Sequence, residues 1–447
     1  MNLIYDIHDK PKFPQLVVFA FQQLLAILAA TIAVPSIVGN GMSQSAALFG
    51  AGVGTIVYLL FTKFRSPVFL GSSFAFIGSM FAAFAGAAST QAGYAGLIIG
   101  AMFAGAVYVI IAIVVKIAGV AWLNKLMPAV VIGPTVAIIG LSLAGNAVSD
   151  SLAGAYDDSA SAYIMTTNTW VSLICSLVTL VVVVICSVYG KKMVKLIPFI
   201  IGIAVGYIVA TLFTVIGMST GNTELILIDF SVFNNMQWVP DFTFVEAAKG
   251  FSAVDGKYIA TLAVAYIPVA FVVFAEHIAD HKNLSNIISR DLLENPGLHR
   301  TLLGDGVGSA VGAIFGGCPN TTYGESVGCV AITGNASVIT IFATAILSMI
   351  ASFIGPFVTF LASIPSCVMG GVCITLYGFI AVSGLKMIQY VDLNENRNLF
   401  VVSVILISGI GGMALKIGEV TLTEVACALI LGIIVNLILG RNDKKKS

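Results

Sequence analysis

The sequence predicts an all-α polytopic membrane protein with fourteen transmembrane segments, arranged as two inverted repeats of seven. Its residues are 58% hydrophobic and only 9% charged, whereas an ordinary soluble domain carries about 25% charged residues. Long apolar runs follow one another along the whole chain, and a spanning helix needs about 20 apolar residues. A formal net charge of zero argues against a nucleic-acid-binding surface.

The apolar runs that meet this length criterion predict the individual segments. They are residues 15–35, 43–62, 68–85, 94–115, 121–144, 169–189, 196–217, 257–278, 301–317, 320–336, 338–361, 364–385, 398–414 and 419–440. No small-residue cleavage pattern follows a short apolar core near the N-terminus, so we expect the first run to be retained as a helix.

The distribution of positive charge predicts the orientation of these segments. With the N-terminus in the cytoplasm, all but three of the 21 Lys and Arg residues fall on the cytoplasmic side, the exceptions being Lys249, Lys257 and Lys416. The hairpin 145–168, which has no Lys or Arg, falls outside. We therefore expect a multi-pass protein of the cell membrane with both termini in the cytoplasm.

The polar segment 218–256 divides the predicted spans into two halves of seven. An odd number per half forces opposite orientations, so any repeat must be inverted. One trace of a repeat is that Met127-Pro128-Ala-Val-Val131-Ile132-Gly133 resembles Ile364-Pro365-Ser-Cys-Val368-Met369-Gly370.

The third segment of each half is interrupted by Gly, Pro, Ser or Thr in the same way. Ser66-Pro-Val-Phe-Leu-Gly71-Ser-Ser-Phe74-Ala-Phe76 begins span 3, and Cys318-Pro-Asn-Thr-Thr-Tyr323-Gly-Glu325 begins span 10. Such paired, short, broken segments are the best sequence indication of a transporter site at the membrane midplane. The alternative is that the small residues only allow helices to pack closely.

Glu325 is the only charged residue between Asp305 and Lys386. A carboxylate at bilayer depth costs at least about 2.5 kcal/mol, so an intramembrane acid is a functional-site hypothesis by default. A purely structural alternative is that Glu325 caps the N-terminus of a half-helix. Glu276 follows a long uncharged run and could instead lie at the cytoplasmic end of span 8.

A polar cluster, His277, Asp280, His281 and Lys282, follows Glu276, and we expect most of it to form the hydrated end of span 8. Asp305 is expected in the first turn of span 9, where an acid suits the helix dipole, with a role in a proton path as the alternative. The seven cysteines lack metal-ligand spacing and are interpreted as small apolar side chains.

Several stretches together resemble the nucleobase/ascorbate transporter family, and within it the bacterial uracil permeases, which are uracil:proton symporters. They are Phe271-Val-Val-Phe-Ala-Glu276-His277, Glu294-Asn-Pro-Gly-Leu-His-Arg300, Pro319-Asn-Thr-Thr-Tyr-Gly-Glu325, Thr333-Gly334, Met369-Gly-Gly371 and Leu376-Tyr377-Gly378. The likeness runs over essentially the whole chain, and the Pro319 to Glu325 stretch is its most specific part.

The resemblance implies a core domain of spans 1–4 and 8–11, and a gate domain of spans 5–7 and 12–14 that also forms a homodimer. Short β-strands in spans 3 and 10 would cross at the centre. The chain then divides into residues 1–144 (first core spans and the start of the gate), 145–256 (gate spans 6–7 and an extracellular segment), 257–363 (second core spans) and 364–447 (gate spans 12–14 and a cytoplasmic tail).

The resemblance also implies the roles of single residues at the substrate site. Glu276 and Glu325 would face the base, and Phe74 and Gly324 would offer backbone N–H groups to its carbonyl oxygens. The remaining candidates for the surroundings of the base are Tyr323, Tyr377, Ser73 and Ala30.

Proton coupling would involve Glu276, Glu325 and a group one helical turn after Glu276. Family members often carry His four residues after the first Glu, whereas here that residue is Asp280 and His281 follows it. Whether Asp280 or His281 takes part therefore stays open. The family motif also has Asn where this chain has Ser326. Apart from the proton, no cofactor or metal is expected.

The chemistry of these groups suits uracil, a flat neutral ring with two N–H donors and two carbonyl acceptors. Ionised carboxylates accept, backbone N–H groups donate, and an aromatic face covers the ring. Apolar surroundings disfavour the charged form of a carboxylic acid, so a buried Glu could carry a proton inwards. A xanthine or other purine permease of the same family is the nearest alternative; an anion exchanger or channel with the same repeat plan, and a membrane enzyme, are less favoured.

Overall fold

Each predicted span of the first half overlaps at least one helix of the described residues. The computed structural model describes residues 3–119, 128–191, 193–234, 236–389, 391–417 and 420–443. The first-half helices are α1 (Phe13–Val38), α2 (Gln44–Phe61), α3 (Ile77–Ala85), α4 (Thr90–Ala118), α5 (Ala129–Ser142), α6 (Ala144–Leu152), α7 (Thr167–Tyr189), α8 (Met193–Leu196) and α9 (Pro198–Thr220). The start of the predicted span 121–144 lies outside the described residues.

The second half follows residues 221–255, whose described part contains one short α-helix, α10 (Thr243–Gly250), and three 3₁₀ turns. The helices of the second half are α11 (Gly256–Ile288), α12 (Leu298–Gly316), α13 (Gly324–Thr333), α14 (Val338–Ala351), α15 (Gly355–Ala362), α16 (Ser366–Ile388), α17 (Asn396–Ile410) and α18 (Glu424–Asp443). The strands are β1 (Leu70–Ser72), β2 (Tyr156–Asp157), β3 (Ala162–Tyr163), β4 (Asn320–Thr322), β5 (Leu415–Ile417) and β6 (Val420–Leu422).

Within the described ranges, eight helical segments are long and apolar enough to cross a membrane: α1, α2, α4, α5 with α6, α7, α9, α11 and α16. The pair α14 and α15 would make a ninth span, bent by 83° at its break. Spans 3 and 10 yield shorter helices because part of each is strand. The outward faces of α7 and α9 carry exposed side chains such as Leu177, Val181, Ile208 and Leu212, as expected of helices that face lipid.

The short strands predicted in spans 3 and 10 are confirmed and form one antiparallel pair. Leu70 pairs with Thr322, Gly71 with Thr321, and Ser72 with Asn320. Position 71 must be glycine, because a Cβ there would lie 2.2 Å from the Tyr323 ring. Thr55 of α2 holds the edge of β1, since its hydroxyl accepts from the Leu70 N–H at 2.9 Å.

The helices contact one another in two groups. In the first group, α12 packs against α2 and α4, and α14 packs against α1 and α2. The same group includes α11, which packs against α4, and α13, which packs against α1. The contact between α2 and α12 is backbone to backbone, because a Cβ at Gly50 would lie 2.4 Å from the Gly312 carbonyl oxygen. In the second group, α16 packs against α5, α6 and α7, while α17 and α18 pack against α5. The same group includes α9, which packs against α7 and α16.

Candidate functional site

A cavity of about 340 Å³ lies between the two helix groups, next to the β1–β4 pair. Its volume falls in the range of small-molecule sites. The first group supplies the polar side of the lining: Phe74, Ala75, Glu276, Ala279, Asp280, Thr321, Thr322, Tyr323, Gly324 and Glu325. The second group supplies an almost wholly apolar side: Val136, Ile139, Phe199, Leu376, Phe379, Ile380, Ser383 and Met387.

Three carboxylates converge on this cavity from two helices. Glu276 and Asp280 lie one turn apart on α11 and so share a face. Glu325 is the second residue of α13, and all three side chains are only partly buried. Asp280 is anchored to β4, because the Thr322 hydroxyl donates to its Oδ2 at 2.7 Å. The cavity can therefore offer several acceptors to a ligand with N–H donors.

Two helices begin at the cavity, one after each strand. A single residue separates β1 from a 3₁₀ turn, Phe74–Phe76, that leads into α3, and Tyr323 separates β4 from α13. The first N–H groups of a helix have no partner within it, and Phe74 and Gly324 are the residues at these starts. Both line the cavity, so backbone donors stand beside the acceptors.

The strand pair fixes the positions of both helix starts. The Ser73 N–H donates to the Pro319 carbonyl at 2.9 Å, and the Tyr323 N–H donates to the Phe69 carbonyl at 3.3 Å. The Tyr323 hydroxyl donates to the Ser72 carbonyl at 2.8 Å, across the pair. Binding groups supplied by irregular backbone are thus held by hydrogen bonds that do not depend on a ligand.

Three predicted site residues lie behind the lining. The Tyr377 ring packs edge-on against Phe74, with centroids 6.0 Å apart. Ser73 and Ala30 are each only 1% exposed. Ser326 also points into the protein, since its hydroxyl accepts from Gln23 Nε2 at 2.5 Å and from the Phe69 N–H at 3.1 Å. Ser326, which stands where the family motif has Asn, therefore contributes to the packing of α1 and the residue before β1 against α13.

The expectation that His277 and His281 form the hydrated end of span 8 is wrong. Both are 0% exposed, because α11 continues to Ile288 and buries that face against α2 and α12. Only Lys282 and Asn283 of the neighbouring residues are exposed. The periodicity of the sequence could have indicated this, since 277 and 281 are one turn apart and followed by Leu284 and Ile288.

The expectation that Asp305 lies in the first turn of span 9 is also wrong, because α12 begins at Leu298. Asp305 is 1% exposed, and its Oδ2 lies 2.7 Å from His277 Nδ1. The other ring nitrogen of His277 lies 3.0 Å from the Thr301 hydroxyl. This buried pair joins the middle of α12 to α11.

His281 extends the buried polar cluster towards α2. Its Nδ1 donates to the His277 carbonyl at 2.8 Å, and its Nε2 lies 2.7 Å from the Tyr58 hydroxyl. The Tyr58 hydroxyl in turn lies 2.7 Å from Ser66 Oγ. The cluster of Tyr58, Ser66, His277, His281, Thr301 and Asp305 is called the dry cluster below.

Sequence reasoning missed Thr322 and the whole apolar side of the cavity. Thr322 carries no signal of its own beyond its place in an interrupted segment. The apolar residues of α5 and α16 are indistinguishable in sequence from other lipid-facing or packed residues. These apolar residues can be identified as part of the cavity lining only from the way the two helix groups approach each other.

This arrangement, a polar cavity enclosed between two groups of apolar helices at a pair of broken segments, is that of a membrane transporter. The fold is similar to the transmembrane domain of a cyanobacterial bicarbonate transporter, BicA, with a TM-score of 0.64 over 97% of this chain and 100% of that one. The two sequences are 14% identical, so the likeness concerns the fold alone.

The Xan_ur_permease model of the permease family matches residues 14–418. The chain belongs to this family, the nucleobase/ascorbate transporters. It is 39% identical to the uracil permease of Bacillus caldolyticus over 98% of this chain and 94% of that protein. It is also 37% identical to the uracil permease of Bacillus subtilis strain 168, over 99% and 96% respectively.

Proposed function

We propose that this chain is a permease that imports uracil together with protons across the cell membrane. The observation that carries the proposal is the joint presence of three carboxylates and two helix starts at one cavity. Relatives named uracil permease, similar over nearly the full length, support the choice of substrate.

The cavity complements a pyrimidine dione group by group. Glu276 and Glu325 accept from the two ring N–H groups, while the backbone N–H groups at Phe74 and Gly324 donate to the ring carbonyls. Phe74 and the apolar side chains of α16 cover the faces of the ring. The acidic lining disfavours an anionic substrate, although the fold is shared with a bicarbonate transporter.

The proposed coupling to protons rests on the three acidic side chains that line the central cavity. Three negative charges in one enclosed cavity repel one another, so at least one carboxyl group holds a proton when the substrate is bound. Glu276, with Asp280 one turn away, is our candidate for the group that gains this proton outside and releases it inside. Binding of substrate and proton together supplies the differential affinity that a two-state carrier needs.

The movement that transports the substrate is proposed to be a displacement of one helix group against the other. The first group corresponds to the predicted core and the second to the predicted gate, and the segregated helix contacts support this division. The full count of fourteen spans, the inverted repeat, the cytoplasmic termini and the homodimer remain predictions. With both termini in the cytoplasm, as predicted, the cavity extends towards the cytoplasmic ends of α11 and α16.

The proposal is tested by uptake of labelled uracil in a permease-deficient strain, with unlabelled uracil, xanthine and bicarbonate as competitors. We expect competition by uracil alone, and abolition of accumulation by an agent that collapses the proton gradient. Accumulation that xanthine blocks as well as uracil does would instead favour the purine alternative.

Glu276→Gln separates binding from coupling in the same assay. Binding of uracil by purified protein should weaken by no more than about tenfold, because Glu325 and the two backbone donors remain, whereas accumulation against a gradient should fail. Glu224→Gln, which alters an exposed acid that is not part of the cavity lining, is the matched control. Unchanged accumulation by Glu276→Gln would remove Glu276 from the coupling mechanism.

A further inference from the structure

A second cavity, of about 210 Å³, adjoins the first along the interface between the two helix groups. Phe74, Ala75 and Ile139 line both cavities and so form the wall between them. The second lining also includes Ser79, Phe81, Ser142, Asn146, Val269 and Glu424.

The second cavity lies on the opposite side of that wall from the carboxylates. Val269 of α11 lines the second cavity and precedes Glu276 by about 10 Å along the helix. On the second group the cavity is reached at Asn146 of α6 and at Glu424, the first residue of α18. These positions border segments predicted to be extracellular, so it is called the outer cavity below.

Two side chains of the outer cavity are available to a ligand. Most of its hydroxyl groups are already engaged: Ser79 donates to the Ala265 carbonyl at 2.7 Å, and Ser142 donates to the Ile139 carbonyl at 3.1 Å. Glu424 and Asn146 are half-buried, and neither side chain has a hydrogen-bonding partner within the described part of the chain.

We propose that the outer cavity is a second nucleobase site, which substrate occupies before it passes Phe74 to the central cavity. This inference rests on the proposed function. The Glu424 carboxylate accepts from a ring N–H, and the Asn146 amide both donates to a carbonyl and accepts from an N–H. Phe81 and Val269 offer apolar surface to the ring.

The first test is protection of a thiol introduced into the outer cavity. The native cysteines are all buried among the described residues, so a membrane-impermeant thiol reagent applied outside should report Ser142→Cys. We expect labelling of Ser142→Cys, and protection by uracil that persists when Glu325→Gln has removed central binding. Adding Glu424→Gln should abolish the protection, whereas adding the control Glu224→Gln should not.

The second test counts sites by equilibrium dialysis of the purified full-length protein against labelled uracil, up to the solubility limit. Two classes of site are expected, the tighter lost in Glu325→Gln and the weaker in Glu424→Gln. Glu424→Asp should restore part of the weaker class.

Two results would overturn the inference while the proposed function stands. One is no protection, or no labelling, of Ser142→Cys in a chain that transports uracil. The other is a single class of site that Glu325→Gln removes and Glu424→Gln leaves unchanged. A wild-type protein that neither binds nor transports uracil would overturn the proposed function itself.

Discussion

Two faces of α11 carry polar residues that are adjacent in sequence, but only one of these faces lines the cavity. Glu276 and Asp280 line the cavity, while His277 and His281, the next residue in each case, are 0% exposed in the dry cluster. A step of one residue turns an α-helix by about 100°, which is enough to move a side chain from the cavity to the interior.

The difference lies in the partners of each set. His277 is held by Asp305 and Thr301, and His281 by Tyr58 and a backbone carbonyl. On the cavity face, Asp280 has one partner, Thr322, and Glu276 has no hydrogen-bonded side chain among the described residues. Groups that lack protein partners and border a cavity are free to bind substrate or exchange a proton. The side chains of the dry cluster instead bond to one another and join α2, α11 and α12.

The largest effect that this comparison predicts is for Glu325→Gln, on the cavity face. The amide can neither titrate nor present two acceptors, so concentrative uptake should fall to the background of the empty strain. Uptake at matched membrane abundance measures it. Near wild-type accumulation would show that Glu325 only caps α13.

In the dry cluster, Asp305→Ala should act on stability. A buried hydrogen-bonding group that loses its partner costs about 1–3 kcal/mol, so the free energy of unfolding should fall by about that amount. Melting of the detergent-solubilised protein, followed by size-exclusion chromatography, is the measurement.

Two companion variants sharpen the stability result. Asp305→Asn keeps a polar partner for His277 and should lose less stability than Asp305→Ala. Glu276→Ala, on the cavity face, leaves no buried hydrogen-bonding partner behind among the described residues and should change the melting temperature little. Equal losses in Glu276→Ala and Asp305→Ala would contradict the distinction between the faces.

A smaller effect is expected on the pH profile of uptake, and it compares the two faces directly. The carboxylate of Asp280 repels negative charge on Glu276, so Asp280→Asn should let Glu276 lose its proton more easily. More acid is then needed to protonate Glu276, and the profile should shift to lower pH. His281→Ala should leave the profile nearly unchanged, because that ring is bonded within the dry cluster. A shift confined to His281→Ala would place the coupling group on the other face.

The smallest effect is predicted for Thr322→Val, which removes the hydrogen bond to Asp280 while keeping the shape of β4. That hydrogen bond orients Asp280 and does not contact the substrate, so only part of its free energy of about 1 kcal/mol passes to binding. Uracil should therefore bind no more than about fivefold more weakly. Dialysis of purified Thr322→Val against labelled uracil measures it. Thr211→Val, whose hydroxyl donates to the Tyr207 carbonyl within α9 at 2.8 Å, is the control outside the cavity.

The sequence by itself predicted the apolar helices, the two interrupted segments of spans 3 and 10 and the isolated acid Glu325, while the strand pair was implied by the family resemblance. These features are local, since apolar length, interrupted segments and an isolated charge can each be recognised without knowledge of neighbours. The resemblance added Glu276, Phe74 and Gly324, all of which line the cavity.

Only the tertiary structure decided which face of α11 lines the cavity, where Asp305 lies along α12 and which apolar residues close the cavity. Each of these depends on the rotation of one helix against another, and a change of one residue reverses the answer. His281 and Asp280 are equally polar and adjacent in sequence, yet Tyr58 of α2 engages the first and Thr322 of β4 the second. Packing between segments far apart in the chain decides which of the two residues lines the cavity. No local sequence pattern can predict that outcome.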